Sequence, residues 1–105
     1  NRMTIMFCAF EGSPLILRLY GNATIFHPRD EEFIEYKDLF KANEGARQIV
    51  EMKIERVQTS CGYGVPFMDY KEERETLNKW VAQKGEPEIK EYWKLKNEKS
   101  IDGFE

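Results

Sequence analysis

The chain has 105 residues and a mass of 12.5 kDa, which allows one domain at most, with a core small enough to gain from a partner subunit. Its 16 Lys and Arg are interleaved with 19 Asp and Glu for a net charge of −3; no basic stripe forms, which argues against nucleic acid as the main partner. No apolar run approaches the roughly 20 residues that cross a bilayer and no charged-then-apolar leader opens the chain, so the expectation is a cytoplasmic protein without a membrane partner.

Residues 3–10 are apolar on both faces and predict a central buried strand, with Cys8 as a buried thiol. A central strand needs neighbours on both sides. A chain that enters one so soon after Asn1, with no initiator Met, reads as the later part of a longer polypeptide. Glu11-Gly12-Ser13-Pro14 turns the chain into a second extended run, about 15–26, with a bulge or bend at Gly21-Asn22, and the two runs form a hairpin. Leu15, Leu17 and Leu19 share one face of the second run; Ile16, Arg18 and Tyr20 share the other. An arginine among apolar neighbours on a strand either pairs with a carboxylate at a subunit contact or meets an anionic ligand.

His27, the single histidine, precedes Pro28 and reads as a turn residue; one His builds no metal site. Asp30 caps a helix with Glu31 and Glu32 in its first turn and Phe33, Tyr36, Leu39 and Phe40 on its apolar face. Asn43-Glu44-Gly45 ends it, and Ala46 leads into a third strand. From 48 to 57 that strand alternates, Val50, Met52 and Ile54 against Glu51, Lys53 and Glu55, the period of a half-buried strand.

It runs into the most informative stretch of the chain, Gln58-Thr59-Ser60-Cys61-Gly62-Tyr63-Gly64-Val65-Pro66. An amide, two hydroxyls, a thiol and two glycines gather where the strand stops. Gly62 and Gly64 allow positive φ or a close backbone approach, and Tyr63 between them offers a ring to a flat ligand. The same residues also read as a glycine-rich turn closed by Pro66, and the residues alone leave both readings open. Cys61 has no His near it in sequence to activate it, and Cys8 and Cys61 have neither disulfide-framework nor metal-ligand spacing.

Asp69 or Tyr70 opens a second helix through about Gln83, with Tyr70, Leu77, Trp80 and Val81 at helical spacing, and Lys84-Gly85 stops it. Pro87 stands in the first turn of a third, which carries Ile89, Tyr92, Trp93 and Leu95 above a solvated charged face. Together they make a helical tail over about 70–98, in which Trp80 and Trp93 read as packing anchors. The order strand, strand, helix, strand, helix, helix predicts an α+β domain: a curled antiparallel sheet with three helices at its edge.

Four segments then stand in a telling order: Asn1-Arg2-Met3-Thr4-Ile5-Met6-Phe7-Cys8-Ala9-Phe10-Glu11-Gly12, Leu17-Arg18-Leu19-Tyr20-Gly21, Glu55-Arg56-Val57 with the polar stretch through Pro66, and Lys96-Asn97 with Ser100-Ile101-Asp102-Gly103. In combination they resemble the pyridoxamine 5′-phosphate oxidase-related family of FMN-binding proteins nearly from end to end; singly each is weak. The resemblance implies a split β-barrel of the FMN-binding type, of which residues 1–105 are one domain from its C-terminal part and hence an incomplete sheet. It implies a homodimer or larger, with FMN in the cleft between subunits. It places Gln58, Thr59 and Ser60 at the cofactor, Tyr63 beside its ring, and Arg18 against negative charge. The family's front strands, which supply much of the phosphate grip, precede the matched part and leave Arg2 and Arg18 as cations for a phosphate.

The sequence also departs from the oxidases proper. Ile16 holds the place of their flavin-contacting glutamine, and the Arg and His pattern with which they hold pyridoxine phosphate is missing, so that substrate is not implied. Two functions follow: an FMN-dependent oxidoreductase in which the isoalloxazine carries the electrons and no side chain acts as acid, base or nucleophile, or a noncatalytic flavin-binding or dimerisation module. A haem-handling barrel would need an axial ligand, for which His27 at a turn is poorly placed.

Overall fold

The hairpin read from the sequence is the first pair of a three-stranded antiparallel sheet, ordered β1 (Arg2–Cys8), β2 (Ile16–Phe26) and β3 (Ile49–Ser60). It is seen in a computed structural model that describes residues 1–41 and 45–104. The Ala9 N–H donates to the Leu15 carbonyl at 2.9 Å and closes the connecting turn. The central strand is β2, not β1 as expected, because β1 pairs with β2 alone among the described residues. Apolar side chains on both faces of β1 therefore do not reflect two strand neighbours: Met6 and Phe7, which point to opposite faces, each keep more than half of their surface exposed.

The bulge expected near Gly21 is present, and its inserted residue lies on the opposite strand. Tyr20 pairs with Arg56 and Gly21 with Ile54, so Glu55 is the extra residue. Gly21 is required there, since a Cβ would fall 2.0 Å from the Lys53 carbonyl oxygen. The insertion resets the phase of β3. Before it Val50 and Met52 pair with Ile25 and Ala23; after it Val57 and Thr59 pair with Leu19 and Leu17. Because paired residues share a face, Val50, Met52, Ile54 and Val57 join Leu17, Leu19, Ile25, Ile5 and Phe7 on one apolar face. Arg18, Tyr20, Arg56, Gln58 and Ser60 share the other. Uninterrupted alternation would have put Arg56 and Gln58 among the apolar side chains. That apolar face remains half open, with Ile54 51% and Val57 59% exposed.

Helix α1 (Glu31–Tyr36) continues as a 3-10 turn over Lys37–Leu39 and is shorter than the sequence predicts. Asp30 sits at its N-cap with extended backbone, but its Oδ2 accepts from the His27 N–H at 2.7 Å and not from the helix. Asn43 and Glu44, expected to end this helix, lie outside the described residues. An edge-to-face contact between Phe26 and Tyr36 at 5.8 Å, with the Tyr36 hydroxyl donating to Glu51 Oε2 at 2.8 Å, holds α1 over one end of the polar face. The end that carries Arg18 and Ser60 stays uncovered by α1.

The second helix, α2 (Thr76–Lys96), corrects the sequence reading: there are two α-helices, not three. Gly85, at φ 76° and ψ 166°, is not helical, so this element is two helical halves that meet at a kink where the sequence places a stop, and Pro87 stands in the first turn of the second half, where its missing N–H leaves no helical hydrogen bond unmade. The bend folds the halves against each other, burying Val81 and Ile89 and setting Trp80 edge-on to Tyr92 at 5.2 Å, with the Lys84 ammonium 5.3 Å above the Trp80 ring. The packing role expected of Trp80 is seen in these contacts. The helix starts at Thr76 and not at Asp69 or Tyr70, since Lys71 to Glu75 are consecutive charges with no apolar stripe to pack. Among the described residues no helix is long and apolar enough to cross a membrane.

Candidate functional site

The open end of the polar face is assembled by cross-strand register. Arg18 stands directly opposite Gln58, and Arg56 directly opposite Tyr20. Arg18 Nη1 donates to Ser60 Oγ at 3.1 Å, and the Tyr20 hydroxyl donates to Gln58 Oε1 at 3.0 Å. On the edge strand, Arg2 pairs with Asn22, two residues beyond Tyr20. Arg2, Tyr20, Glu55, Arg56 and Gln58 line an open groove of about 480 Å³.

These contacts fix what the site can offer. With its oxygen engaged by Tyr20, the Gln58 amide presents its NH2 donors; Ser60 accepts from Arg18 and keeps its own hydroxyl proton to donate. Among the described residues the ion pairs are Lys79 with Glu75, Lys90 with Glu86 and Lys94 with Glu91, all on α2 or its N-cap, so neither Arg2, Arg18 nor Arg56 has a carboxylate within ion-pair distance. The Glu55 carboxylate, at the rim, accepts from Asn22 Nδ2. A half-buried guanidinium and a row of donors favour a flat, acceptor-rich molecule that carries or gains negative charge. Two phenols lie above the ordinary tyrosine value, Tyr36 chiefly through its hydrogen bond to Glu51 and Tyr70 chiefly through its hydrogen bond to Glu73; neither lines the groove.

Of the residues singled out from the sequence, Arg18, Gln58 and Ser60 come together. Their strand runs three residues further than 48–57, so Gln58, Thr59 and Ser60 are its last residues and not a turn beyond it. Thr59 points to the apolar face, paired with Leu17. Tyr63 lies past the strand end with 82% of its surface exposed. Of the two glycines, Gly62 behaves as expected: its φ is 66° and a Cβ would meet the Leu15 nitrogen at 2.7 Å, while its carbonyl accepts from the Val65 N–H to close the turn. Gly64 has neither positive φ nor a close neighbour. Cys8 is a half-buried free thiol and Cys61 an exposed one. Among the described residues no three His, Cys, Asp or Glu side chains are grouped to hold a metal ion.

Sequence reasoning missed Tyr20 and Arg56 as members of this site. The signal for Tyr20 was its place two residues from Arg18 on the same strand face. Arg56 gave none, since it reaches that face only through the phase change at Glu55.

Comparison with known proteins finds the pyridoxamine 5′-phosphate oxidase family protein ustO of Aspergillus flavus, 31% identical over 122 aligned positions, which take in 99% of this chain and 48% of that protein. The chain spans about half the length of this relative and matches its later part. No family model and no solved structure matches the chain.

Proposed function

Because the chain belongs to the pyridoxamine 5′-phosphate oxidase family, we propose that it is the FMN-binding part of a flavin-dependent oxidoreductase built as a split β-barrel, its substrate unnamed. The observation that carries this reading is the pair of contacts on the open polar face, Arg18 to Ser60 and Tyr20 to Gln58, which leaves donors and a cation on one side of a sheet. Bound FMN supplies the two-electron chemistry. The chain's own residues hold and orient it: the Gln58 amide and Ser60 hydroxyl donate to its acceptor edge, Arg18 opposes the negative charge gained on reduction, and Tyr63 packs beside the ring. Thr59 contributes only where a second subunit covers the apolar face. The half-exposed Ile54 and Val57 on that face support a homodimer or larger. The reading includes no nucleic acid and no membrane partner, and free thiols suit a cytoplasmic setting.

A noncatalytic flavin-binding or dimerisation module is the second reading, favoured by a groove that presents mainly donors and whose carboxylate, Glu55, and phenol, Tyr20, are both engaged in hydrogen bonds within the sheet. FMN-loaded protein mixed anaerobically with a reduced nicotinamide separates the two. Bleaching of the flavin's visible absorbance supports the oxidoreductase. Flavin held but left unbleached by reduced nicotinamide supports the module, and failure to take up FMN at all contradicts both.

A further inference from the structure

We infer that Arg2, Tyr20 and Arg56 form an oxyanion site, taking a phosphate or carboxylate group of a small ligand between two guanidinium groups over a phenol floor. The three residues come from three different strands: Arg2 from β1, Tyr20 from β2 and Arg56 from β3. Tyr20 lies on the middle strand with Arg56 directly across from it, and Arg2 flanks it from the other side. Strands lie about 4.8 Å apart, so the two arginine backbones, set diagonally across the sheet, stand on the order of 10 Å from one another, a span within the reach of two long side chains toward one ligand. All three line the same groove of about 480 Å³.

Charge gives the site its preference. The whole chain is net acidic at −3, yet neither guanidinium has a carboxylate partner among the described residues. The acid at the groove, Glu55, accepts from Asn22, which leaves two positive charges against one negative. Like charges within about a Debye length of 10 Å repel one another, and an oxyanion between them replaces that repulsion with charge-assisted hydrogen bonds. The planar guanidinium fork matches phosphate and carboxylate oxygens two at a time. The Gln58 NH2 borders the same groove and adds a donor. This site stands on these residues alone and holds whether or not a flavin ring is bound by Arg18, Gln58 and Ser60.

The test is calorimetric titration of the chain with inorganic phosphate, on the wild type and on Arg2→Gln, Arg56→Gln and, as an exposed arginine away from the groove, Arg47→Gln. All three positions are exposed, and far-UV circular dichroism checks that each variant keeps its fold. The expected result is saturable binding by the wild type and Arg47→Gln, weakened about tenfold or more by Arg2→Gln and by Arg56→Gln, the loss of one charged hydrogen-bonding group. Absence of saturable binding, or equal loss in Arg47→Gln, overturns the site. A second arm compares FMN with riboflavin, which lacks the phosphate. If Arg56→Gln erases the advantage of FMN, the anion is the cofactor's own phosphate; if the ratio stays at its wild-type value while phosphate binding falls, the anion belongs to a separate ligand. Both results support the site. A chain that takes up neither flavin and still binds phosphate overturns the flavin reading and upholds this one.

Discussion

The Tyr20 hydroxyl donates to Gln58 Oε1 at 3.0 Å, diagonally across the ladder between β2 and β3, and so decides which end of that amide faces outward. Tyr20→Phe releases the amide to rotate and exposes an acceptor as readily as a donor. FMN affinity is expected to fall about three- to tenfold, the range of one neutral hydrogen bond, with the fold retained. Quenching of flavin fluorescence on titration reads the change; an unaltered affinity would mean that Gln58 does not address the ligand through its NH2.

The turn after β3 depends on one glycine and not the other. At Gly62 a side chain meets both an unfavourable positive φ of 66° and the Leu15 backbone, whereas at Gly64 it enters open space. Gly62→Ala is expected to destabilise the chain by about 1–3 kcal/mol in denaturant melts, and Gly64→Ala to leave it within about 0.5 kcal/mol.

The open apolar face predicts self-association. Val57 stands in it with 59% of its surface exposed, so Val57→Lys places a charge in any contact made there while altering little within one chain. Sedimentation is expected to give a dimer or larger for the wild type and a shift toward monomer for the variant. Equal masses for the two would remove this face from the contact.

Alkaline pH tests the attachment of α1. The Tyr36 phenol lies above the ordinary value of 10.0, first through its hydrogen bond to the Glu51 carboxylate, then through the charge of that group, slight desolvation, and Glu35 and Glu32. The folded value is raised above the unfolded one, so the contribution is fully present below pH of about 10 and is lost as pH rises through the folded value. In melts from neutral to strongly alkaline pH, the stability difference between wild type and Tyr36→Phe should hold steady up to about pH 10 and then shrink. A difference that grows above that pH contradicts the assignment.

Much of the sheet was legible because alternation and turn residues act locally: the hairpin, the bulge near Gly21 and the β3 run follow from period and glycine placement. The strand order was not. Apolar side chains on both faces of β1 do not require a strand on each side, and here Met6 and Phe7 keep more than half of their surface exposed. The phase of β3 was hidden for a related reason, since Gly21 marks the bulge while the extra residue, Glu55, sits on the other strand, and only register shows that Arg56, Gln58 and Ser60 rejoin the face of Arg18. Residue chemistry and the family resemblance therefore singled out Arg18, Gln58 and Ser60, which the register brings to one face, but not Tyr20 and Arg56 beside them. In the tail, helical spacing was read through residues 70–75, where the charges of Lys71 to Glu75 have nothing to pack against, while the break at Gly85 was legible from the glycine and the proline after it and divides α2 into two helical halves.

The claim that the polar end of the sheet holds a flat redox ring is tested most directly by titrating FMN into the wild-type chain and into Gln58→Ala, following flavin fluorescence. Saturable quenching by the wild type, weakened about tenfold by the substitution with the fold unchanged, is the predicted result. No saturable quenching, or equal affinity in the two proteins, would contradict it.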